Sequence, residues 1–319
     1  MRALVIDRGL RLETNYPTPT PPPGEALIRV RRAGVCNTDL ELMRGYMNFR
    51  GVPGHEFVGV VEAADGREDL IGRRVAGEIN AACGACETCR ANRPTHCPQR
   101  TTLGIDRRDG AFAEYLTLPF ENVHPLPDAI SDDAAVFVEP LAAACEITDQ
   151  VRIRPTDRVA LIGDGKLGLL CAQVLALTGC ELIAVGRHAD KLAILERRGI
   201  STTIESDQLA TASFDILVEA TGTPDGFAAA RRLVRPRGVI VLKSTYAGQA
   251  IPVNLTTLVV DEITLIGSRC GPFEPAIRLL ANKQIDVESL IHARYPLAEG
   301  VTAFEHAARK GTLKVIVTL

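Results

Sequence analysis

Val159-Ala-Leu-Ile-Gly163-Asp-Gly-Lys-Leu-Gly168 is the stretch on which the fold turns. Its first four residues form an unbroken apolar run, of the length of a strand buried on both faces. Gly163, Gly165 and Gly168 follow as G-x-G-x-x-G, and an apolar helical pattern then runs to Thr178. Alone the string is weak; between a buried strand and a helix it acquires meaning. The glycines permit a tight turn and close approach of an anion, and the helix N-terminus behind them offers free N–H groups. Gly163, Gly165, Lys166, Leu167 and Gly168 are therefore candidates for cradling the pyrophosphate of a dinucleotide.

Working outward, the rhythm repeats. Residues 182–185, 214–218 and 239–242 read as strands and 191–198 as a helix. Strand–helix alternation of this kind implies α/β structure, a doubly wound parallel sheet of the Rossmann type, over 141–269. Upstream, 26–30 and 57–61 are short β-branched strands among Gly and Pro punctuation, and the proline-rich 16–24 is an extended surface link. Downstream come a helix at 275–282 and a closing strand at 314–319. The expected division is a catalytic domain from 1–140 together with 270–319, and a nucleotide domain from 141–269.

A chain of 319 residues with 46% hydrophobic content can bury two cores. A formal charge of −3 asks for neither nucleic acid nor an anionic membrane. The N-terminus meets Asp7 too early for a signal peptide, and the richest apolar stretch, 159–185, is broken by Asp164, Lys166, Gln173 and Glu181. A soluble, cytoplasmic protein is expected.

Four of the nine cysteines crowd into one short loop as C-x2-C-x2-C-x7-C: Cys83, Cys86, Cys89 and Cys97. Four thiolates satisfy the tetrahedral demand of zinc and leave no open position, so a metal here would be structural. Four reduced thiols or an iron–sulfur cluster are the alternatives, and the compact spacing fits the ferredoxin patterns less well. A second set is more dispersed. Cys36, His55 and Glu139 offer one thiolate, one imidazole and one carboxylate, two negative charges that offset a zinc dication with a fourth position free. Taken singly, Cys36 is equally a small buried hydrophobe, His55 a structural histidine and Glu139 a helix-start acid before Pro140.

Taken together, these motifs resemble the zinc-containing medium-chain alcohol dehydrogenase family along nearly the whole chain, in the family's order. A glutamate at position 139 is similar to the sorbitol, threonine and glucose dehydrogenase branch. The resemblance implies a GroES-like, mostly-β catalytic domain beside the Rossmann domain, one catalytic and one structural zinc, and assembly as a homodimer or homotetramer. It implies that Cys36 and His55 bind zinc, that Glu56 or Glu139 supplies the carboxylate, and that the two exchange. Thr38 corresponds to the residue that hydrogen-bonds the substrate hydroxyl, and Asp39 to the acid that orients the histidine. Thr221, Ser268, Arg269 and Lys314 correspond to cofactor contacts. Glu41 departs from the pattern, standing where some members carry a relay histidine.

The implied activity is zinc-dependent hydride transfer between an alcohol and a nicotinamide cofactor, with a polyol, sugar or amino alcohol favoured. A zinc-free quinone or enoyl reductase and a non-enzymatic NADPH-binding regulator are the rivals, and the full ligand set weighs against both. Where an NAD-selective fold would carry an acid after its second strand, this chain has Gly186-Arg187-His188, with Lys191 beyond. Lost repulsion and gained bases lead to an expected preference for NADP(H) over NAD(H); a solvated basic turn without selectivity is the alternative. Tyr46, Met47 and Phe49 are either pocket lining or core.

Overall fold

The computed structural model describes residues 1–204, 206–246 and 253–319. The chain divides into two compact units: Met1–Glu139 with Phe273–Leu319, and Pro140–Pro272.

The second unit is built on a six-stranded parallel sheet. Its spatial order is Ser201–Thr203, Glu181–Val185, Arg158–Ile162, Phe214–Glu219, Val234–Leu242 and Thr264–Gly267. In chain order this is 3-2-1-4-5-6, the doubly wound arrangement. The run 159–162 is central, paired on both sides and buried. The helix Lys166–Ala176 buries Gly168 through Leu175 without interruption. Strand order reverses beside Arg158–Ile162, where Ile162 pairs with Glu219, and ligands of such sheets bind outside the carboxyl ends at that point. The G-x-G-x-x-G loop and Ala220-Thr221-Gly222 leave from those two ends.

The first unit holds a seven-stranded, mainly antiparallel sheet. Its order is Val123–Pro125, Arg74–Gly77, Glu56–Ala63, Glu25–Gly34, Lys314–Thr318 and Ile291–Pro296, with Tyr115–Pro119 also on Glu25–Gly34. The strand Lys314–Thr318 is thus internal, antiparallel to Glu25–Gly34 and parallel to Ile291–Pro296. A small sheet of Asn80–Ala81, Thr101–Leu103 and Arg107–Arg108 brackets the cysteine loop.

Three local features add to the sequence reading. The helix that includes Pro140 runs from Val138 to Gln150, so Glu139 lies in its first turn. Proline is tolerated there because the first four helical N–H groups have no partner within the helix. The apolar stretch 255–260 is a helix, Leu255–Val260, capped by Asn254, and the edge of the sheet is Thr264–Gly267. Phe49 packs with Ile6 and Leu42, whereas Tyr46 and Met47 are exposed. Among the described residues, no helix is long and apolar enough to cross a membrane.

Candidate active site and cofactor loop

Cys36 stands at the N-cap of the helix Asn37–Met43, and His55 and Glu56 stand at the start of the strand Glu56–Ala63. One residue ties the two segments. Asp39 is fully buried; its Oδ2 accepts the backbone N–H of Cys36 (2.8 Å) and its Oδ1 that of Gly54 (3.1 Å). The same Oδ1 lies 3.4 Å from His55 Nδ1. Cys36, His55 and Glu56 consequently bring one ligand atom each within 4.8 Å of one another. Glu139 falls outside that group, although its charge is felt by Lys314. Thr38 Oγ1 is 3.8 Å from Cys36 Sγ. Glu41 pairs with Arg44 on the surface.

Lys314, read from the sequence as a cofactor contact, is buried, with its ammonium on Glu56 Oε2 and 5.5 Å from the centre of the Phe137 ring. Its strand delivers it there, and Gly34 leaves the room. A Cβ at Gly34 would come 2.6 Å from Val136, 2.8 Å from Glu56 Oε2 and 3.1 Å from Lys314. The charges around the site are strongly coupled. Burial pushes the His55 imidazole toward neutrality, but Asp39 and Cys36 outweigh it and raise its pKa well above the ordinary value. Burial likewise opposes the Lys314 charge, and Glu56, Cys36 and Glu139 raise it. One thiol, one imidazole and one carboxylate, gathered within 4.8 Å of one another with His55 and Glu56 buried, fit a bound dication.

The other four cysteines are gathered as well. Cys86 Sγ is 3.5 Å from Cys89 and 3.7 Å from Cys97, and Cys97 is 3.5 Å from Cys83. Tetrahedral zinc with bonds of about 2.3 Å requires sulfurs about 3.8 Å apart. Backbone hydrogen bonds at Cys83 and Gln99 bring the Cys97 thiol down to about 6, close to the ionised form a metal needs.

In the second unit the glycine-rich loop passes a steric test for a dinucleotide. Gly163 has φ of 127°, and a Cβ on it would stand 2.9 Å from the Ala220 carbonyl. A Cβ on Gly168 would stand 2.1 Å from Gly163 O, while Gly165, the N-cap of Lys166–Ala176, faces open space. Thr221 turns its hydroxyl onto the buried Glu219, which also accepts the N–H of Thr221 and Gly222. Ser268 Oγ and the Arg269 carbonyl both accept from the buried Lys243 ammonium, at 3.0 and 2.7 Å. Neither Glu219 nor Lys243 was singled out in the sequence; Glu219 holds the turn that directly follows it, and Lys243 reaches 268–269 only when their strands align. Lys191 sits on the buried face of the helix Ala189–Glu196, so it adds nothing to a surface basic cluster. Arg187 is exposed, and His188 is bonded to Asp164.

Comparison with known proteins divides the chain once, near residue 130. Residues 22–128 match the alcohol dehydrogenase GroES-like domain, and 132–319 match the glucose dehydrogenase C-terminus. A sorbitol dehydrogenase of Halalkalibacterium halodurans is 29% identical, covering 95% of this chain and 94% of its own. A zinc-binding dehydrogenase of Sinorhizobium meliloti 1021, solved bound to NADP, is 27% identical with a TM-score of 0.91, covering 100% and 99%. An alcohol dehydrogenase of Escherichia coli CFT073, solved with NADH, is 26% identical with a TM-score of 0.91 over the same shares.

Proposed function

The chain belongs to the zinc-containing medium-chain alcohol and polyol dehydrogenase family, and from that premise we propose which of its residues do the work and on what class of substrate. It is a zinc-dependent oxidoreductase acting between an alcohol and a nicotinamide cofactor. The observation that carries the assignment of residues is the convergence of Cys36, His55 and Glu56 on one point, held by Asp39.

Cys36 and His55 hold the catalytic zinc with Glu56, and Asp39 fixes the imidazole from its Nδ1 side. Bound zinc supplies a Lewis acid that lowers the pKa of an alcohol hydroxyl, and the nicotinamide supplies the hydride acceptor. Thr38, beside Cys36, takes the hydroxyl proton outward. Lys314 competes for Glu56, so this carboxylate is shared between ammonium and metal, and Glu139 is the alternative acid. Cys83, Cys86, Cys89 and Cys97 hold a second, structural zinc. The unit Pro140–Pro272 binds the dinucleotide through Gly163, Gly165, Lys166, Leu167 and Gly168, with Thr221, Ser268 and Arg269 toward the nicotinamide. The expected NADP(H) preference would have to rest on Arg187 alone, because Lys191 is buried and His188 is bonded to Asp164.

The substrate class is a polyol, sugar or amino alcohol. A zinc-free reductase or a retired regulatory scaffold has no use for two gathered ligand sets. Free thiols at both sites suit the reducing cytoplasm. Assembly as a homodimer, or a tetramer of dimers, uses the edge strand Thr264–Gly267, where Leu265 is exposed, as are Leu255, Val259 and Val260 of the preceding helix. The test is turnover by zinc-loaded protein over a panel of polyols, sugars, amino alcohols and simple alcohols with both cofactors. Activity that survives complete zinc removal would refute the reading.

A further inference from the structure

After the strand Glu181–Val185 the sequence offers Gly186, where an acid would accept the ribose hydroxyls. The structure brings a carboxylate to that place by another route. Asp164, the second residue of the G-x-G-x-x-G loop, reaches over from the neighbouring strand end. Its Oδ2 accepts the backbone N–H of Arg187 (2.6 Å) and of His188 (2.7 Å), and lies 2.9 Å from His188 Nδ1. A Cβ on Gly186 would come 2.7 Å from both Cβ and Oδ2 of Asp164, and 2.9 Å from Leu192. The glycine is therefore not a lost acid. It is the room that an acid from position 164 requires.

Two physical consequences follow. Backbone N–H groups just past this strand are natural donors to a 2′-phosphate, and here a carboxylate of the protein already takes two of them. Burial pushes the Asp164 carboxyl up, but the amides of Arg187 and His188 and the imidazole outweigh it and hold its pKa below the ordinary value. It is an anion at neutral pH, fixed in place, and all three bonds fall on Oδ2. A ribose hydroxyl can donate to such a group; a phosphate dianion is repelled by it. The opposing charge is weak. Arg187 is 76% exposed, with a long 3.9 Å contact to the equally exposed Asp225, so its guanidinium is not organised for a ligand.

We propose that Asp164 is the cofactor-selecting acid of this chain: from the glycine-rich loop it takes the place of a strand-end acid, accepts the ribose hydroxyls and excludes a 2′-phosphate, so that NAD(H) is preferred to NADP(H). This reverses the preference that Gly186 and Arg187 suggest in the sequence, and it rests on reading Pro140–Pro272 as the dinucleotide-binding unit.

The experiment is direct binding of NADH and NADPH, without alcohol, by calorimetry and nicotinamide fluorescence, for the wild-type protein, Asp164→Asn, Asp164→Ala and Arg187→Ala. The wild type is expected to bind NADH more tightly than NADPH by roughly tenfold to a hundredfold. Asp164→Asn keeps shape and an acceptor for the two amides while removing the charge, so it remains informative where Asp164→Ala fails to fold. Both Asp164 variants should weaken NADH and strengthen NADPH, and Arg187→Ala should leave the NADH affinity little changed. Tighter NADPH binding by the wild type, or an unchanged ratio in Asp164→Asn, overturns the proposal. Binding of neither cofactor overturns the dinucleotide reading and this proposal with it. Selective NADH binding without turnover of any alcohol upholds Asp164 and sinks only the hydride-transfer reading.

Discussion

Lys314 sets its ammonium on the carboxylate of Glu56 where both side chains are almost wholly withdrawn from solvent, 1% and 2% exposed. Charges so placed are stable only as a pair. In metal-free protein, Lys314→Met should cost about 3–5 kcal/mol, because it strands a buried carboxylate. Adding Glu56→Gln should recover much of that loss, and urea unfolding of the four proteins gives the coupling directly. A loss under about 1 kcal/mol, the worth of a surface pair, would show that the ammonium and carboxylate do not depend on each other.

The cysteine quartet should behave as a folding element. Cys86→Ser is expected to lower bound zinc from two ions per chain to one and to lower the midpoint of thermal unfolding, since a closed metal site contributes its binding energy to folding. Elemental analysis alongside thermal unfolding checks both halves. A variant that lost one zinc but melted with the wild type would make the loop dispensable.

Around the other metal the effects should separate. Cys36→Ala is expected to abolish turnover and remove one zinc while the melting temperature stays near that of the wild type. Asp39→Asn leaves all three ligands in place but weakens the hold on the imidazole, and should cost about 10–100-fold in zinc affinity or activity. Competition with a chromophoric chelator reads the affinity; full retention in Asp39→Asn would contradict the positioning role.

Glu25 and Arg108 give a pH-dependent term away from either metal. Two bonds join them, Nη1 to Oε2 at 2.7 Å and Nη2 to Oε1 at 2.8 Å. Burial pushes the Glu25 carboxyl up, and Arg108, helped by Thr117, outweighs it and holds the pKa below the ordinary value. A carboxyl depressed in the folded state adds stability that is complete above its unfolded pKa and is lost as pH falls through the folded one. Glu25→Gln should therefore cost about 1–3 kcal/mol at pH 7. The gap from the wild type should close as the pH is lowered toward about 3. Urea unfolding across that range would show a constant gap if the pair contributed nothing.

Charge placed on the exposed sheet edge and on the apolar helix before it should break the assembly. Leu265→Lys with Val259→Glu is expected to convert a dimer to monomers with near-native helicity, seen by light scattering and circular dichroism. Monomers from the wild-type chain at micromolar concentration would overturn the assembly itself.

What the sequence made legible was local. The quartet Cys83, Cys86, Cys89 and Cys97 lies on one loop, and the glycine loop carries its own strand and helix, so spacing alone foretold their geometry. Cys36 and His55 were legible through their motifs, but the choice of acid was not. Glu139 and Glu56 look alike as letters, and only the start of the strand Glu56–Ala63 puts one of them against Cys36. The surroundings of Lys314 and Asp164 were hidden for a related reason. Each has its meaning in a partner on another strand, Glu56 for the first and the 186–188 turn for the second. Lys191 was read among the bases of that turn, and it lies among the buried residues of its helix with Leu192, Ile194 and Leu195, which a charged letter does not announce.

The internal position of Lys314–Thr318 fixes an order of events during synthesis. Glu56 and Lys314 are separated by 258 residues, an interval of roughly 13–50 s at 5–20 residues per second. Through that interval the unit Pro140–Pro272 is made continuously and can close on itself. Cys83 to Cys97 can capture metal as soon as they emerge, for all four donors are already present. The strand Glu25–Gly34 meanwhile shows a bare edge where Lys314–Thr318 will lie, and Glu56 waits without its ammonium. A nascent chain stalled in this window would carry a finished nucleotide unit and an open catalytic one, so it is there that a chaperone has most to protect.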